Sequence, residues 1–176
     1  MGIVDDFKGS SIERIGDGTY PARIAQVIDL GLQKNEFEGQ TKIQPKLWIT
    51  FELPTETIEV DGEEKPRWLS KEFTKSTNDK SLLMKVLNSV YTPKELEDVE
   101  SFEDLLGKAL LVEIGETSGG KDKWINSSKL MKGMKVDELV NPTKYFSLDN
   151  PDQEVFNSLP DFLQEKITSG EDYAPF

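Results

Sequence analysis

From Tyr20 to Leu32 the chain alternates in twos. Tyr20, Ala22, Ile24, Ile28, Leu30 and Leu32 fall on one side and Arg23 and Asp29 on the other, a period that predicts a long β-strand. A loop around Asn35 to Gly39 leads to a second predicted strand, Lys42 to Leu53, with Ile43, Leu47, Ile49, Phe51 and Leu53 as its apolar face. Lys42, Gln44, Lys46, Trp48 and Thr50 share the opposite face, and Pro45 predicts an edge or a bulge near the start. The acidic stretch Glu56 to Glu64 contains Asp61-Gly62, a turn signal, and reads as an exposed connection to a third strand from about Arg67 to Ser76. The period then changes. Leu82, Leu83, Val86, Leu87 and Val90 recur at threes and fours and predict a helix capped by Asn78 or Asp79. Pro93 to Asp104 reads as a short acidic helical segment or loop, and Leu105 to Gly115 as a fourth strand with Leu110, Val112 and Ile114 inward. Gly119-Gly120 then turns the chain into a fifth strand near Lys123 to Met131.

Three strands, a helix and two further strands make a mostly β chain. The order fits an OB-fold, a five-stranded, partly open barrel with a helix between its third and fourth strands; another small barrel or an α+β domain is the alternative. Gly9, Gly16 and Gly18 mark residues 1 to 18 as an irregular lead-in, so the barrel domain is assigned to residues 1–133. Residues 134–167 form a helical extension. In it, Val136 to Val140 offers about one helical turn before Asn141-Pro142, and Glu154 to Ile167 a helix that Pro160 divides into two short pieces. Residues 168–176 read as a flexible acidic tail ending in Pro-Phe.

Composition narrows the chemistry. With neither Cys nor His, thiolate catalysis, disulfides, cysteine metal sites and the usual general base near neutral pH are removed; no cofactor or metal is expected, and a non-enzymatic role is favoured. A carboxylate enzyme using Mg²⁺ stays a lesser alternative. The chain offers neither a long apolar run nor the basic and apolar regions of a signal peptide at its start, so a soluble cytoplasmic protein with no membrane partner is expected. The net charge of −12 argues at first against nucleic acid. Its distribution changes that picture. Residues 151–176 carry −5, and the remaining acids bunch at Glu56 to Glu64 and Lys94 to Asp104, which leaves the rest mildly basic.

The outward row of the second strand is the most informative candidate site. Lys42, Lys46 and Trp48 combine ammonium groups for phosphates with an indole for stacking, the requirements for holding a single nucleic-acid strand without reading its sequence. Packing of Trp48 under a loop or the C-terminal helix is the competing reading. On the third strand Arg67, Lys71 and Lys75 alternate with Leu69 and Phe73, while Trp68, Ser70, Glu72 and Thr74 lie opposite; Phe73 reads equally as core or stacking platform. Lys121, Lys123 and Lys129 surround Trp124 on the fifth strand, either as a binding patch or as solvated lysines beside a buried indole. Gly115 to Lys121 lacks the spacing of a phosphate-binding loop, with Asp122 where Ser or Thr is needed, and no nucleophile elbow is present. At the end of the chain Glu171 and Asp172 precede Tyr173-Ala174-Pro175-Phe176; an apolar tip with acids behind it suits anchoring in a partner's pocket, or packing back on its own domain.

Pro175-Phe176 behind Glu171 and Asp172 resembles the tip of bacterial single-stranded DNA-binding proteins. The layout of residues 18–132, with Tyr20-Pro21-Ala22-Arg23-Ile24-Ala25-Gln26-Val27-Ile28-Asp29-Leu30-Gly31 and Leu106-Gly107-Lys108-Ala109-Leu110-Leu111-Val112, resembles the single-stranded DNA-binding proteins of tailed bacteriophages. This tail departs from the pattern in having only two adjacent acids, with Tyr173-Ala174 in place of a longer acidic run. The resemblance implies a stoichiometric role: sequence-tolerant coating and protection of single-stranded DNA during viral DNA replication, recombination and repair, in the host cytoplasm. It also implies recruitment of replication and recombination enzymes through Glu171, Asp172, Tyr173, Pro175 and Phe176, with the tail competing for the DNA groove when DNA is absent. Either a monomer or a homodimer fits. A protein-interaction or virion scaffold without DNA binding is the alternative.

Overall fold

Two tight turns organise the first half of the chain. Glu38-Gly39 and Asp61-Gly62 have positive φ at both positions (51° and 76°, 53° and 83°), the geometry that lets two-residue hairpins follow the twist of their strands. The computed structural model describes residues 13–76 and 78–176. The lead-in up to residue 12, Gly9 included, lies outside the described residues. β1 (Gly18–Phe37), β2 (Gln40–Val60) and β3 (Glu63–Thr74) therefore run to the turns themselves. The loop expected at Asn35 to Gly39 and the acidic connection at Glu56 to Glu64 are hairpin arms instead. Cross-strand bonds continue past the core, where most positions are polar, Phe37, Ile43 and Val60 are exposed, and the alternation fades.

α1 (Leu82–Val90) follows, then α2 (Pro93–Glu97), a 3₁₀ turn at Phe102–Leu105, β4 (Ala109–Glu116) and β5 (Asp122–Ser128). The cap of α1 is Ser81, whose hydroxyl accepts from the Met84 N–H; Asn78 forms the turn before it, its side chain accepting from the Lys80 N–H. The fourth strand begins later than expected because Phe102–Leu105 coils and Gly107, at φ 81°, turns the chain. The sheet is open and antiparallel in the order β3-β2-β1-β4-β5, with a short β6 (Lys144–Phe146) added parallel to β1 at Gln26 to Ile28. β3 and β5 are the two ends of that order. α1 packs against both, and Phe73 on β3 meets Trp124 on β5 edge to face at 5.0 Å.

Bulges in β1 decide where its side chains go. The pairing with β2 slips between Ile24 and Gln26, and again between Asp29 and Gly31. A one-residue slip exchanges the faces of a strand. Ile24 and Val27 thus enter the main core with Leu47, Ile49, Phe51 and Leu110, whereas Ile28 and Leu30, expected beside Ile24, point the other way. There they form a second core with Phe146, Phe156, Leu159, Leu163 and Ile167, from β6, α3 (Gln153–Ser158) and α4 (Asp161–Thr168). Pro160 separates these two helices. The outer face of the sheet is in this way covered by the C-terminal part of the chain.

Val136 to Val140 forms no helical turn, because the sheet takes its backbone groups. The Arg23 guanidinium donates to the carbonyls of Val136 (2.8 Å), Asp137 (2.9 Å) and Gly107 (2.8 Å). Glu52, buried on β2, accepts from the Val140 N–H (2.7 Å), the Asn141 side chain (2.8 Å) and the Trp68 indole N–H (2.9 Å). The tail is held as well. The Glu171 N–H donates to Leu32 O and the Leu32 N–H to Asp172 Oδ1, both at 2.8 Å, and Phe176 packs on Phe146 and Phe156. The tail expected to be flexible thus lies along β1 and the second core, with Phe176 itself 41% exposed.

At the other end of the described chain, Asp122 fastens the lead-in. Its carboxylate accepts from the N–H groups of Ile15 (2.7 Å) and Gly16 (3.1 Å) and from Arg14 (3.1 Å). Partial burial pushes its pKa up, but those donors outweigh it and hold the group below the ordinary value of 3.8. A depressed pKa contributes stability that is present above the unfolded value and lost as pH falls through the folded one. The amide signals of Ile15 and Gly16 are expected to shift together with a midpoint below pH 3.8, and Asp122→Asn to remove that titration. A midpoint above 3.8 would contradict the assignment.

Candidate nucleic-acid interface

Side chains from both faces of the sheet meet at the free edge of β3. Lys46, beside Thr74 in the β2–β3 ladder, donates to the Thr74 hydroxyl at 2.6 Å. Lys71 lies on the core side, its ammonium 5.6 Å from the centre of the Phe73 ring and 5.8 Å from that of Trp124. Lys46, Lys71 and Lys80 line one cleft of about 400 Å³ together with Gln44, Phe73 and Thr74. Burial, joined by the like charges of Lys46 and Lys123, holds the Lys71 ammonium below the ordinary lysine value against an opposing pull from Glu72. Lys123 on β5 is therefore part of the same field. Glu72, the carboxylate in this cleft, is paired with Lys166 of α4 at 2.8 Å. An anion placed here would relieve both the repulsion and the desolvation of Lys71.

The cleft continues onto the β1–β2 arm. Gln40, Lys42, Gln44 and Lys46 share one face of β2, and their partners across the ladder are Phe37, Asn35, Gln33 and Gly31. Toward the turn that face has amides, the Lys42 ammonium and an aromatic ring; at its base the Asp172 carboxylate lies against Gly31, and Gln33 donates to the Lys166 carbonyl at 2.7 Å. Phe37, next to the turn, is 73% exposed.

The structure divides the residues expected at the site. Lys46 and Lys71 come together, Lys42 follows along the arm, and Lys123 does not line the cleft although its charge acts on Lys71. Trp48 is on the outer face, as parity required, but α4 covers it: its ring meets Phe162 edge to face at 5.5 Å and packs on the second core. Phe73 and Trp124 are core residues; the Trp124 indole donates to Ser127 at 2.7 Å. Neither is a free stacking surface. Lys75 lines another cleft, its ammonium 3.0 Å from Asp29. Arg67 and Trp68 sit near the β2–β3 arm, beside Asn141, with Trp68 tied to Glu52. Lys121 is at the β4–β5 turn and Lys129 just beyond β5, where its charge acts on Glu95. Glu171, Asp172, Tyr173 and Phe176 lie along β1 and the second core, and none of them lines the basic cleft.

Phe37, Gln40, Gln44 and Lys80 are not singled out by the sequence: Phe37 falls in the expected loop at Asn35 to Gly39, Gln40 before the expected strand start at Lys42, Gln44 on the outward row without a role, and Lys80 just after the expected cap at Asn78 or Asp79. A signal was present: from Gln40 to Lys46 every second residue is an amide or a lysine, up to a Glu-Gly pair able to turn a hairpin.

Compared with known proteins, the chain matches no protein-family model, no curated protein and no solved structure. Among the described residues no helix is long and apolar enough to cross a membrane.

Proposed function

We propose that this protein binds single-stranded DNA without sequence preference, through the basic cleft at the β3 edge and the Gln40–Lys46 face of the β1–β2 arm. The convergence of Lys46, Lys71 and Lys80 on one cleft in an acidic chain carries this reading, with the Lys123 charge acting on Lys71 from β5. Clustered ammonium groups track a phosphate backbone, and an exposed aromatic ring offers a base a surface whatever its identity. Five antiparallel strands with a helix after the third are consistent with an OB-like barrel, and the proposed role is the stoichiometric coating of DNA exposed during viral replication and recombination. Recruitment of enzymes by Glu171 to Phe176 belongs to the same reading; here the tip would leave its seat on Phe146 and Phe156 before it engaged a partner.

The test is titration of labelled oligo-dT against the protein at low salt, with the same length of duplex as comparison. Single-strand binding at micromolar protein or below is expected, with weaker duplex binding. Phe37→Ala is expected to weaken oligo-dT by about 1–2 kcal/mol with an unchanged melting temperature, the loss of roughly one stacked base. Trp48→Ala is expected to do the reverse: stability falls by about 1–3 kcal/mol as a half-covered indole is removed, while the folded protein binds as before. Loss of binding in the Trp48 variant alone would move the interface to the outer face.

A further inference from the structure

A second cleft, of about 510 Å³, lies between α1, the Leu96–Phe102 segment and β6. Its walls are apolar, formed by Leu47, Met84, Leu87, Val99, Phe102 and Tyr145. It remains open because the chain leaves α2 on one side and β6 joins β1 on the other; Ser101 Oγ and Tyr145 Oη are 3.5 Å apart where the two sides meet. An ion pair is set into it. Asp29, whose side chain is 12% exposed, lies 3.0 Å from Lys75 and also accepts from the Gly31 N–H at 3.0 Å. Glu100 and Asp149 are further carboxylates in the lining, against Lys75 as its one cation among the described residues.

We infer that this cleft is a docking site for a partner protein's peptide segment in which a basic side chain neighbours apolar ones. Size and chemistry both point there. The volume is that of an ordinary ligand site, and apolar walls with a few charged groups supply affinity and orientation respectively. Three carboxylates against one ammonium make the field favour a cation, and low-dielectric walls strengthen that preference. A guanidinium entering between Glu100 and Asp149 can take their oxygens in paired hydrogen bonds while an adjacent apolar side chain covers Met84 and Leu87. A nucleic-acid strand is repelled by the same carboxylates, so this site and the basic cleft select partners of opposite charge. The inference does not rest on DNA binding.

The test uses three blocked tripeptides, leucine–X–phenylalanine with X arginine, glutamine or glutamate, titrated into the full-length protein and followed by methyl and amide NMR. The arginine peptide is expected to shift the Met84, Leu87 and Val99 methyl signals and to bind at least tenfold more tightly than the glutamate peptide, with glutamine between. The Glu100→Gln, Asp149→Asn double variant, both changes at polar rim positions, is expected to reduce the arginine preference to threefold or less with oligo-dT affinity unchanged. Absence of shifts at these methyls up to millimolar peptide, equal binding of all three peptides, or an unaltered preference in the double variant would each overturn the inference.

Discussion

Glu52→Ala is expected to cost about 3 kcal/mol of folding stability and, in a chain of this length, to lower the melting temperature by about 10 °C. Glu52 is only 1% exposed, and its carboxylate joins two other pieces of chain through three donors: the Trp68 indole on β3, and the Val140 amide and Asn141 side chain of the segment after β5. Alanine leaves those donors facing an apolar gap. An unpaired buried donor costs about 1–3 kcal/mol, and partial rescue by water brings the sum toward the lower end. Glu52→Gln should fall between, since its amide keeps one acceptor and turns a donor toward donors. Amide hydrogen exchange adds a local prediction. Protection is lost first at Val140 and Asn141, because β2 keeps its ladder on both sides. A melting temperature within 2 °C of the parent would mean that the carboxylate is not a structural clamp.

The second large effect concerns binding. Replacing Lys46, Lys71 and Lys123 together by glutamine should lower the slope of log affinity against log salt by about 2, at ~0.7 for each single-strand phosphate neutralised. Extended over the decade of salt down from 1 M, three such contacts amount to about 100-fold at 0.1 M. The three are not equivalent. Lys71 is the desolvated member, so a phosphate beside it also raises its depressed pKa, and binding takes up protons in the alkaline range. Wild-type affinity is therefore expected to fall as pH rises through the lowered Lys71 value, earlier than an ordinary lysine would impose, and Lys71→Arg to remove that fall. Because Lys71 rests on the Phe73 and Trp124 rings, melting curves of each variant are needed alongside. An unchanged salt slope in a folded triple variant would take the cleft out of the interface.

Much of the sheet was legible in the residues, and the reasons for the misses are specific. Leu47, Ile49, Phe51 and Leu53 alternate without interruption, and all four are core. The same rule failed on β1 because a bulge leaves no mark on period: Ile24 and Ile28 are four apart yet lie on opposite faces. The arms were lost because antiparallel pairing needs only backbone, so polar residues such as Thr41 and Glu59 continue a strand once a turn has set its register. β6 has three residues, too few for any period, and exists because β1 offers it a partner.

The candidate site was legible as a composition of residues more than as a place. Lysines on strands two, three and five do converge, since β3 and β5 approach each other at α1. The aromatic partners do not follow. Trp48, Phe73 and Trp124 carry large apolar areas that gain more from burial than from waiting for a base, and each has found a ring to pack on. Phe37, 73% exposed, has no such neighbour among the described residues, because its stretch of β1 lies outside both cores. The tail follows part of the same logic: Phe176 lays its ring against Phe146 and Phe156 but stays 41% exposed.

The most direct measurement is an amide and lysine-side-chain NMR footprint of oligo-dT on the full-length protein at low salt. Binding through the proposed interface places the largest shifts on Phe37 to Lys46, on Lys71, Lys80 and Lys123, reaches Lys166 through its pairing with Glu72, and leaves Trp48 and residues 153–163 unmoved. Shifts concentrated on the outer face or the C-terminal helices, or none at saturating oligonucleotide, would contradict it.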